Sequence, residues 1–222
     1  KIMSYLIYSK KIWNKNNLKV LKKKIKVNKK INYQEIKKSK PKIIFFIHWS
    51  QIIPEKIYKE NLCIQFHSSN LPHFKGGSPI QNQIIQGIKK TKISAFKVER
   101  KLDAGKVCIK RDLSLSGSAE DIFIEMEKKS FQMINHLILR KNIKFYKQKG
   151  SGSFFPRRKP YHSNLQLIKN PNLKDIYNFI RMLDADGYPN AFINFNGFKI
   201  LLKQVRSNKN ILNEKFEIIK KK

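Results

Sequence analysis

Cysteine and long apolar runs are scarce in this sequence. Its 222 residues include only two cysteines, Cys63 and Cys108, and both stand in apolar stretches. Cysteines in such positions are typical of buried free thiols in a reducing compartment. No apolar run approaches the ~20 residues that a membrane-spanning helix requires. The start, KIMSYLIYSKK, is basic and then apolar but lacks a small-residue cleavage site, so we interpret it as a first strand. We therefore expect a cytoplasmic protein that does not insert into a membrane.

Several common functional motifs are also missing. The sequence has no internal repeat, no P-loop, no metal-ligand spacing and no glycine-rich dinucleotide fingerprint. We therefore expect no metal site. Any chemistry has to be inferred from other residues.

Acidic residues are few, so 48 basic and 15 acidic side chains leave a formal net charge of +33. Such an excess normally indicates a nucleic acid or an anionic surface as partner. However, the positive charge is almost entirely lysine, since arginine occurs at only seven positions. The codons of an AT-rich genome would produce the same bias, whereas specific phosphate binding usually also uses the arginine fork. Both explanations stay open, and we favour compositional bias over a nucleic-acid partner.

Short apolar runs alternate with amphipathic stretches in the first part of the chain. KIIFFIHW (42–49) and LCIQF (62–66) have the length and the Ile/Phe content of strands buried on both faces. Helices predicted between such strands indicate an open α/β sheet with right-handed crossovers. Ligands of these sheets bind outside the carboxyl ends of the strands, where His48 and His67 stand.

Local signals predict further elements. A polar helix is expected around residues 13–24, and another begins after Ser78, which we expect to be its N-cap. Residues 92–115 predict two strands joined by the turn RKLDAG. A long helix is predicted after Ser118.

Glycine, serine and proline accumulate at residues 147–160, KQKGSGSFFPRRKP, and mark a boundary. We therefore divide the chain into an N-terminal domain, residues 1–150, and a small C-terminal subdomain, residues 151–222. The subdomain contains one predicted helix and, at Asn196-Gly197, a predicted hairpin with a type I′ turn. The basic tail from about residue 207 is expected to fray.

Two segments contain residues suited to proton transfer. QFHSSNLPHFKGGSPIQ (65–81) places His67 at a strand end, and KLDAG (101–105) contains Asp103. A histidine with a pKa near neutrality can relay protons, and a neighbouring carboxylate can fix its tautomer or take part in the relay. Each residue alone also has a structural explanation, His67 as a satisfied hydrogen-bonding group and Asp103 as a turn residue.

Together these segments resemble the folate-dependent formyltransferases. That family includes methionyl-tRNA formyltransferase, glycinamide ribonucleotide formyltransferase and the N-formyltransferases of nucleotide-linked amino sugars. Its pattern is an Asn-x-His at a strand end, a Leu-Pro loop, a glycine turn before P-I/L-Q, and a later Leu-Asp-x-Gly. His67 and Asp103 stand 36 residues apart, as the family leads one to expect. The resemblance covers roughly residues 40–205. It implies an α/β fold, with a Rossmann-like formyltransferase core, a mostly parallel sheet and a small C-terminal helix and β-hairpin subdomain.

The resemblance implies transfer of a formyl group from the co-substrate 10-formyltetrahydrofolate to an amine, with His67 and Asp103 as catalytic residues. Gln65 stands where the family has an asparagine that donates to the oxyanion, so its longer amide is expected to take that role. The implied folate-binding residues are Val98, Glu99, Arg100, Lys101, Leu102, Asp103, Ser78 and Ile80. The implied substrate-binding residues are Asn70, Lys75, Gly76, Gly77 and Gln81, of which Asn70 is also an alternative oxyanion donor.

The acceptor implied by the resemblance is a nucleotide-linked amino sugar. IFFIHWSQIIP, FPRRKPYHS and YPNAFI are most similar to the sugar-acting branch, which includes the pseudaminic-acid-type enzymes. The translation enzyme of this family has a C-terminal β-barrel for tRNA, and the segment after residue 150 is short for such a domain, so tRNA is not expected. A homodimer formed through the C-terminal hairpin is suggested by relatives. The alternatives are a methionyl-tRNA formyltransferase-like enzyme without the tRNA-binding domain, and a catalytically silent relative that binds nucleic acid.

Overall fold

The computed structural model describes residues 5–22, 25–208 and 211–220. The strands are β1 (Tyr5–Ser9), β2 (Val27–Asn28), β3 (Ile43–Ile47), β4 (Cys63–His67), β5 (Lys75–Gly76), β6 (Lys90–Lys97), β7 (Val107–Ser114), β8 (Phe154–Phe155), β9 (Ala191–Phe195), β10 (Phe198–Asn208) and β11 (Ile211–Lys220). The α-helices are α1 (Tyr33–Ser39), α2 (Glu55–Glu60), α3 (Pro79–Ile85), α4 (Ala119–Leu139) and α5 (Leu173–Arg181). The predicted first strand is confirmed as β1. The first four residues of the predicted strand, residues 1–4, lie outside the described ranges.

Six strands form the central sheet in the order β2-β1-β3-β4-β6-β7. β1 runs parallel to β2 and β3, and β3 runs parallel to β4, whereas β6 is antiparallel to both β4 and β7. The predicted α/β fold with a mostly parallel sheet is therefore confirmed. The carboxyl ends of β1, β3 and β4 lie at one edge of the sheet, which is where ligands of such folds bind.

Alternate residues of the parallel strands pack on opposite faces of the sheet. Ile7 and Phe45 belong to one hydrophobic cluster, and Tyr8 and Phe46 belong to another. Each of these side chains is fully buried, and burying one apolar side chain of this size contributes roughly 1.5–3 kcal/mol. A strand buried on both faces requires an unbroken apolar run, and this requirement explains why KIIFFIHW predicted β3.

The C-terminal part of the chain forms α5 and a three-stranded antiparallel sheet of β9, β10 and β11. Asn196 and Gly197 join β9 to β10 with φ of 43° and 78°, so the predicted hairpin turn with two positive φ angles is confirmed. The prediction that the chain frays from about residue 207 is wrong. Ile211–Lys220 forms β11, an edge strand whose backbone groups on one side pair with β10.

The helix predicted around residues 13–24 is also wrong in its extent. The segment contains only a 3₁₀ helix, Lys15–Val20, and residues 23–24 lie outside the described ranges. Before it, the backbone N–H groups of Trp13 and Asn14 donate to the buried carboxylate of Glu127 on α4. This long-range contact satisfies the backbone without an α-helix.

A capping box begins α4 at Ser118, as predicted. The Ser118 hydroxyl accepts from the Asp121 N–H, and the Asp121 carboxylate accepts from the Ser118 N–H. The helix then buries Ile122, Met126 and Met133 against the sheet. Among the described helices, α4 included, none is long and apolar enough to cross a membrane.

Ser118→Ala should lower the free energy of unfolding by about 1 kcal/mol, because the mutant leaves the Asp121 N–H without its capping acceptor. Urea unfolding monitored by circular dichroism measures this loss. Ser151→Ala, at an exposed position outside any helix, is the matched control and should leave stability unchanged. An equal loss in both variants would contradict a capping role for Ser118.

Candidate active site

A cavity of about 640 Å³ opens at the edge of the sheet where β1, β3 and β4 end. Residues that follow these strands directly, Lys10, His48 and Trp49, line it together with His67, the last residue of β4. Its opposite wall comes from the loop between β6 and β7, which includes Val98 and Asp103. The cavity is thus lined by strand ends and loops that come from distant parts of the chain.

His67 and Asp103 are buried together in this cavity. The side chains are 7% and 4% exposed, and Nδ1 of His67 lies 3.7 Å from Oδ2 of Asp103. On the other side of the ring, Nε2 lies 2.7 Å from the carbonyl oxygen of Phe74. A carbonyl only accepts hydrogen bonds, so Nε2 carries the hydrogen of the neutral ring and Nδ1 is left to take up a proton next to a carboxylate. The predicted pairing across 36 residues is therefore observed.

The loop that follows His67 is held by hydroxyl groups from three segments. The Ser69 hydroxyl donates to the His73 carbonyl, and the Ser94 hydroxyl, from β6, donates to the Ser69 carbonyl. The Phe74 N–H donates to the hydroxyl of Ser153. These contacts fix the carbonyl of Phe74, which in turn orients the ring of His67.

Gly76 and Gly77 permit a close backbone approach on this loop. A Cβ at Gly76 would lie 2.3 Å from the Phe155 carbonyl oxygen, and one at Gly77 would lie 2.3 Å from Cα of Arg157. β5 pairs with β8 at this point, with Gly76 opposite Phe155. Only residues without a side chain fit here, so the glycine pair brings the segment containing Arg157 to the rim of the cavity.

Two residues fix the conformation of the turn KLDAG, Gly105 within the turn and Gln148, which is distant in sequence. Asp103 has φ of 50°, and a Cβ at Gly105 would lie 1.7 Å from the Lys97 carbonyl oxygen. The Gln148 amide donates to the carbonyls of both Asp103 and Gly105. The Asp103 Oδ2 accepts from the Gly76 N–H at 2.8 Å. The turn and the loop after His67 are therefore joined through one carboxylate.

Gln65 faces the cavity, whereas Asn70 does not. The half-buried Gln65 amide donates to the Trp49 carbonyl at 3.3 Å, and one of its two N–H hydrogens is thereby used. Asn70 is exposed, and its side-chain amide oxygen accepts a hydrogen bond from the Lys110 ammonium. The alternative oxyanion donor considered from sequence is thus turned away from His67.

Most of the residues predicted from sequence do come together at this cavity. Those that line it are His67, Asp103, Gln65, Val98, Glu99, Arg100, Leu102, Ser78, Ile80, Gly76, Gly77 and Gln81. Lys101, Asn70 and Lys75 are not among the lining residues. Lys101 is exposed in the turn, and Lys75 is a residue of β5. Ser78 precedes α3 as predicted, but its hydroxyl accepts from the Arg158 N–H and does not cap the helix.

Sequence reasoning missed the wall formed after β1. Lys10, Lys11 and Trp13 line the cavity there, and the Lys11 ammonium lies 4.1 Å from the centre of the Trp13 ring. Lys11 also forms an ion pair with Asp186 from the C-terminal part of the chain. The carboxyl end of β1 was a signal for this wall, since ligands of parallel sheets bind at such ends.

Burial changes the acid–base properties of three groups near the sheet. It raises the pKa of the Cys63 thiol and of the Cys108 thiol to about 12, so both are unreactive free thiols. It lowers the pKa of His48 to about 4. Among the described side chains, no group of three or more His, Cys, Asp or Glu is arranged to hold a metal ion.

Folding stability should fall as the pH is lowered from about 6.5 to about 4, by up to about 1.4 kcal/mol per pH unit. The unfolded chain binds a proton at His48 with an ordinary pKa near 6.5, whereas the folded chain resists it because His48 is buried. Proton uptake therefore favours the unfolded state in this window. Urea unfolding at several pH values measures the slope.

His48→Gln should flatten this pH dependence, while the control His73→Gln, at an exposed position, should keep it. Equal slopes in the wild type and in His48→Gln would contradict the assignment.

Comparison with known proteins identifies relatives of both parts of the chain. A family model described as formyl transferase matches residues 7–133. A second model, described as the C-terminal domain of methionyl-tRNA formyltransferase, matches residues 160–219. From the sequence, a tRNA acceptor was not expected because the segment after residue 150 is short. That reason no longer holds, because this segment is itself similar to the C-terminal domain of methionyl-tRNA formyltransferase.

Individual relatives agree with these matches. Methionyl-tRNA formyltransferase of Fusobacterium nucleatum is 30% identical over 188 residues, which is 81% of this chain and 59% of the relative. The chain thus spans about three fifths of the length of this curated relative. The solved structure of a methionyl-tRNA formyltransferase from Clostridium thermocellum is 38% identical with a TM-score of 0.89, and the match covers 99% of this chain and 100% of that one.

More distant solved structures share the fold alone. A sugar N-formyltransferase from a Shewanella species is 15% identical with a TM-score of 0.68, over 92% of this chain and 98% of that one. HypX from Aquifex aeolicus, solved in complex with tetrahydrofolic acid, is 16% identical with a TM-score of 0.73, over 92% of this chain and 38% of that one.

Proposed function

The chain belongs to the formyl transferase family, and from this premise we propose that it transfers the formyl group of 10-formyltetrahydrofolate to a primary amine. The observation that supports this most is the buried pair of His67 and Asp103, 3.7 Å apart, in the wall of the main cavity. A proton-relay pair in a partly apolar cavity is what an acyl transfer to an amine requires.

The cavity suits a folate in size and character. Its wall combines apolar side chains, among them Val98 and Ile80, with backbone of the turn that leads to Asp103. We assign the folate to this side, held by Val98, Glu99, Arg100, Leu102, Asp103, Ser78 and Ile80. When bound, 10-formyltetrahydrofolate supplies the formyl group that the amine acquires.

His67 is the group that we propose moves the proton. An amine attacks only in its neutral form, and it must lose a proton as the new amide forms. The bond between the formyl carbon and N10 of the folate must break in the same reaction, and N10 must gain a proton. Nδ1 of His67 is the ring nitrogen that can receive this proton, because Nε2–H donates to the Phe74 carbonyl. Asp103, 3.7 Å away, stabilises the resulting imidazolium and holds the ring in place.

Gln65 is the amide that we propose donates to the oxygen that gains negative charge. One of its N–H hydrogens is used by the Trp49 carbonyl, which leaves a second donor on a residue that lines the cavity. A donor fixed by the backbone costs little reorganisation, which is the basis of such stabilisation.

Two acceptor classes are consistent with this chemistry. Methionyl-tRNA is favoured by the full-length match to a protein named for it, at 38% identity, and by the match of residues 160–219 to that enzyme's C-terminal domain. A nucleotide-linked amino sugar, the acceptor expected from the segments FPRRKPYHS and YPNAFI, is the second candidate. We therefore propose methionyl-tRNA first.

The acceptor can be tested with the purified chain and 10-formyltetrahydrofolate. We expect tetrahydrofolate to be released with methionyl-tRNA, and not with uncharged tRNA. A panel of nucleotide-linked amino sugars is assayed in parallel. Release with one of these sugars and not with methionyl-tRNA would transfer the proposal to the second candidate, and release with neither would contradict formyl transfer by this chain.

His67→Asn should lower the rate of formyl transfer by roughly 10²–10⁴, because no ring nitrogen then accepts the proton. Binding of a stable 10-formyltetrahydrofolate analogue, measured by thermal shift, should remain. His73→Asn, in the same loop but exposed, is the control and should retain full activity. A fully active His67→Asn enzyme would refute the assigned role.

Gln65→Ala should lower the rate on the order of tenfold or more if its amide stabilises negative charge. Gln65→Asn keeps an amide and should recover part of the loss. Rates are compared at saturating donor, with thermal unfolding as a check on the fold. If Ala and Asn variants lose the same activity, or neither loses any, the oxyanion donor lies elsewhere.

A further inference from the structure

A second cavity, of about 240 Å³, adjoins the first one. This volume is about eight times the roughly 30 Å³ that a water molecule occupies in the liquid. The two cavities share lining residues, including Gln81, Arg157 and Tyr188. A molecule that enters the main cavity can therefore extend into the second one past these side chains.

The second cavity is lined by three consecutive cations and by no described acidic residue. Arg157, Arg158 and Lys159 all contribute to its wall, and the Ser78 and Ser163 hydroxyls lie among them. The chain has 48 basic residues, most of them lysine and spread along the sequence. Here two of its seven arginines stand side by side in a concave surface, which is the arrangement that recognises phosphate oxygens.

Arg158 is fixed in place by the fold. Its guanidinium donates to the His162 carbonyl and lies over the ring of Phe179, and its backbone N–H donates to the Ser78 hydroxyl. The buried Nε of Arg158 has no hydrogen-bond partner among the described residues. Burying a cation is costly, so an anion beside this guanidinium in the cavity would be favourable.

Arg157 is exposed and only loosely held. One of its terminal nitrogens lies 3.3 Å from the Ser50 carbonyl, which leaves most of its five N–H donors for a ligand. Gly77 sets its position, because the missing side chain lets the Arg157 backbone pack against that residue. Gln81, which donates to the Met182 carbonyl, and Tyr188 stand between the cations and the main cavity.

We propose that the second cavity binds a phosphate group of the acceptor while the acceptor's amine reaches His67. The proposal rests on the proposed function, since it assumes that the main cavity binds the folate and the amine. Both acceptor classes contain phosphate, as the diphosphate of a nucleotide-linked sugar or as the phosphodiester next to the aminoacylated end of tRNA.

Isothermal titration with inorganic pyrophosphate at physiological salt tests the phosphate site. We expect saturable binding to the wild-type chain, weakened about tenfold or more in Arg157→Gln and in Lys159→Gln. Each substitution removes one charge-assisted contact, and the tenfold loss corresponds to about 1.4 kcal/mol. The exposed Lys159 provides a second variant in case Arg157→Gln unfolds.

Arg140→Gln is the matched control, because Arg140 is exposed and lines neither cavity. Removing one charge from a net +33 hardly changes general attraction of anions. If binding were only general attraction, all three variants would bind pyrophosphate like the wild type, and that result would overturn the proposal. Weakened binding confined to Arg157→Gln and Lys159→Gln would support it.

UDP-glucose and the trinucleotide CpCpA, titrated in the same way, distinguish the two sources of phosphate. Whichever of them binds more weakly to Arg157→Gln than to the wild type identifies the source. If neither does, the site does not serve an acceptor and the proposal fails.

Binding of the formyl donor tests whether the second cavity holds part of the folate instead of the acceptor. Thermal shift by the stable folate analogue should be equal in the wild type and in Lys159→Gln, because Lys159 lines only the second cavity. A loss of folate binding in Lys159→Gln would mean that the second cavity holds the acidic tail of the folate, and would overturn the proposal. If pyrophosphate binds as expected but no acceptor is formylated, the proposed function fails and the phosphate site stands.

Discussion

The buried carboxylate of Asp103 is the contact on which the arrangement of the cavity depends. Its Oδ2 accepts from the Gly76 N–H and faces the ring of His67, while its backbone carbonyl accepts from Gln148. A buried carboxylate without such partners costs several kcal/mol. The loops after β4 and β6 are therefore held together by the need to satisfy one charge, and Gln148 holds the segment before β8 to the same turn through backbone carbonyls. The geometry that suits proton transfer is the same geometry that makes burial of Asp103 tolerable.

Close backbone packing at Gly76 and Gly77 also positions the residues at the rim of the cavity. Gly76 and Gly77 allow β8 to pair with β5, and this pairing brings Arg157 to the rim shared by both cavities. The net charge of +33 gives a diffuse field around the whole protein. The three cations from Arg157 to Lys159 differ from the other basic residues because they line one concave surface, where their charges act on the same ligand. Position, more than the number of charges, separates a binding site from a basic surface.

Local patterns predicted much of the fold because they reflect local physics. The apolar run of β3, the cap at Ser118 and the Asn196-Gly197 turn each depend on residues close in sequence, and all three are observed. The failures involve distant contacts. Glu127 satisfies the backbone at Trp13 and Asn14, where a helix was predicted. Pairing with β10 orders Ile211–Lys220, where fraying was predicted.

The sequence by itself determined the α/β fold, the family, and the candidate pair of His67 and Asp103, because strand periodicity and motif spacing are written in the order of residues. Only the tertiary structure decided which way side chains point. It turned Gln65 toward the cavity and Asn70 toward Lys110, and it placed Lys10 in the wall of the same cavity as Asp103. The second cavity also exists only in three dimensions, since Ser78, Arg157 and Tyr188 meet there from separate segments. The physical reason is that an orientation depends on which distant groups satisfy each hydrogen bond and fill each space, and a linear pattern does not contain those partners.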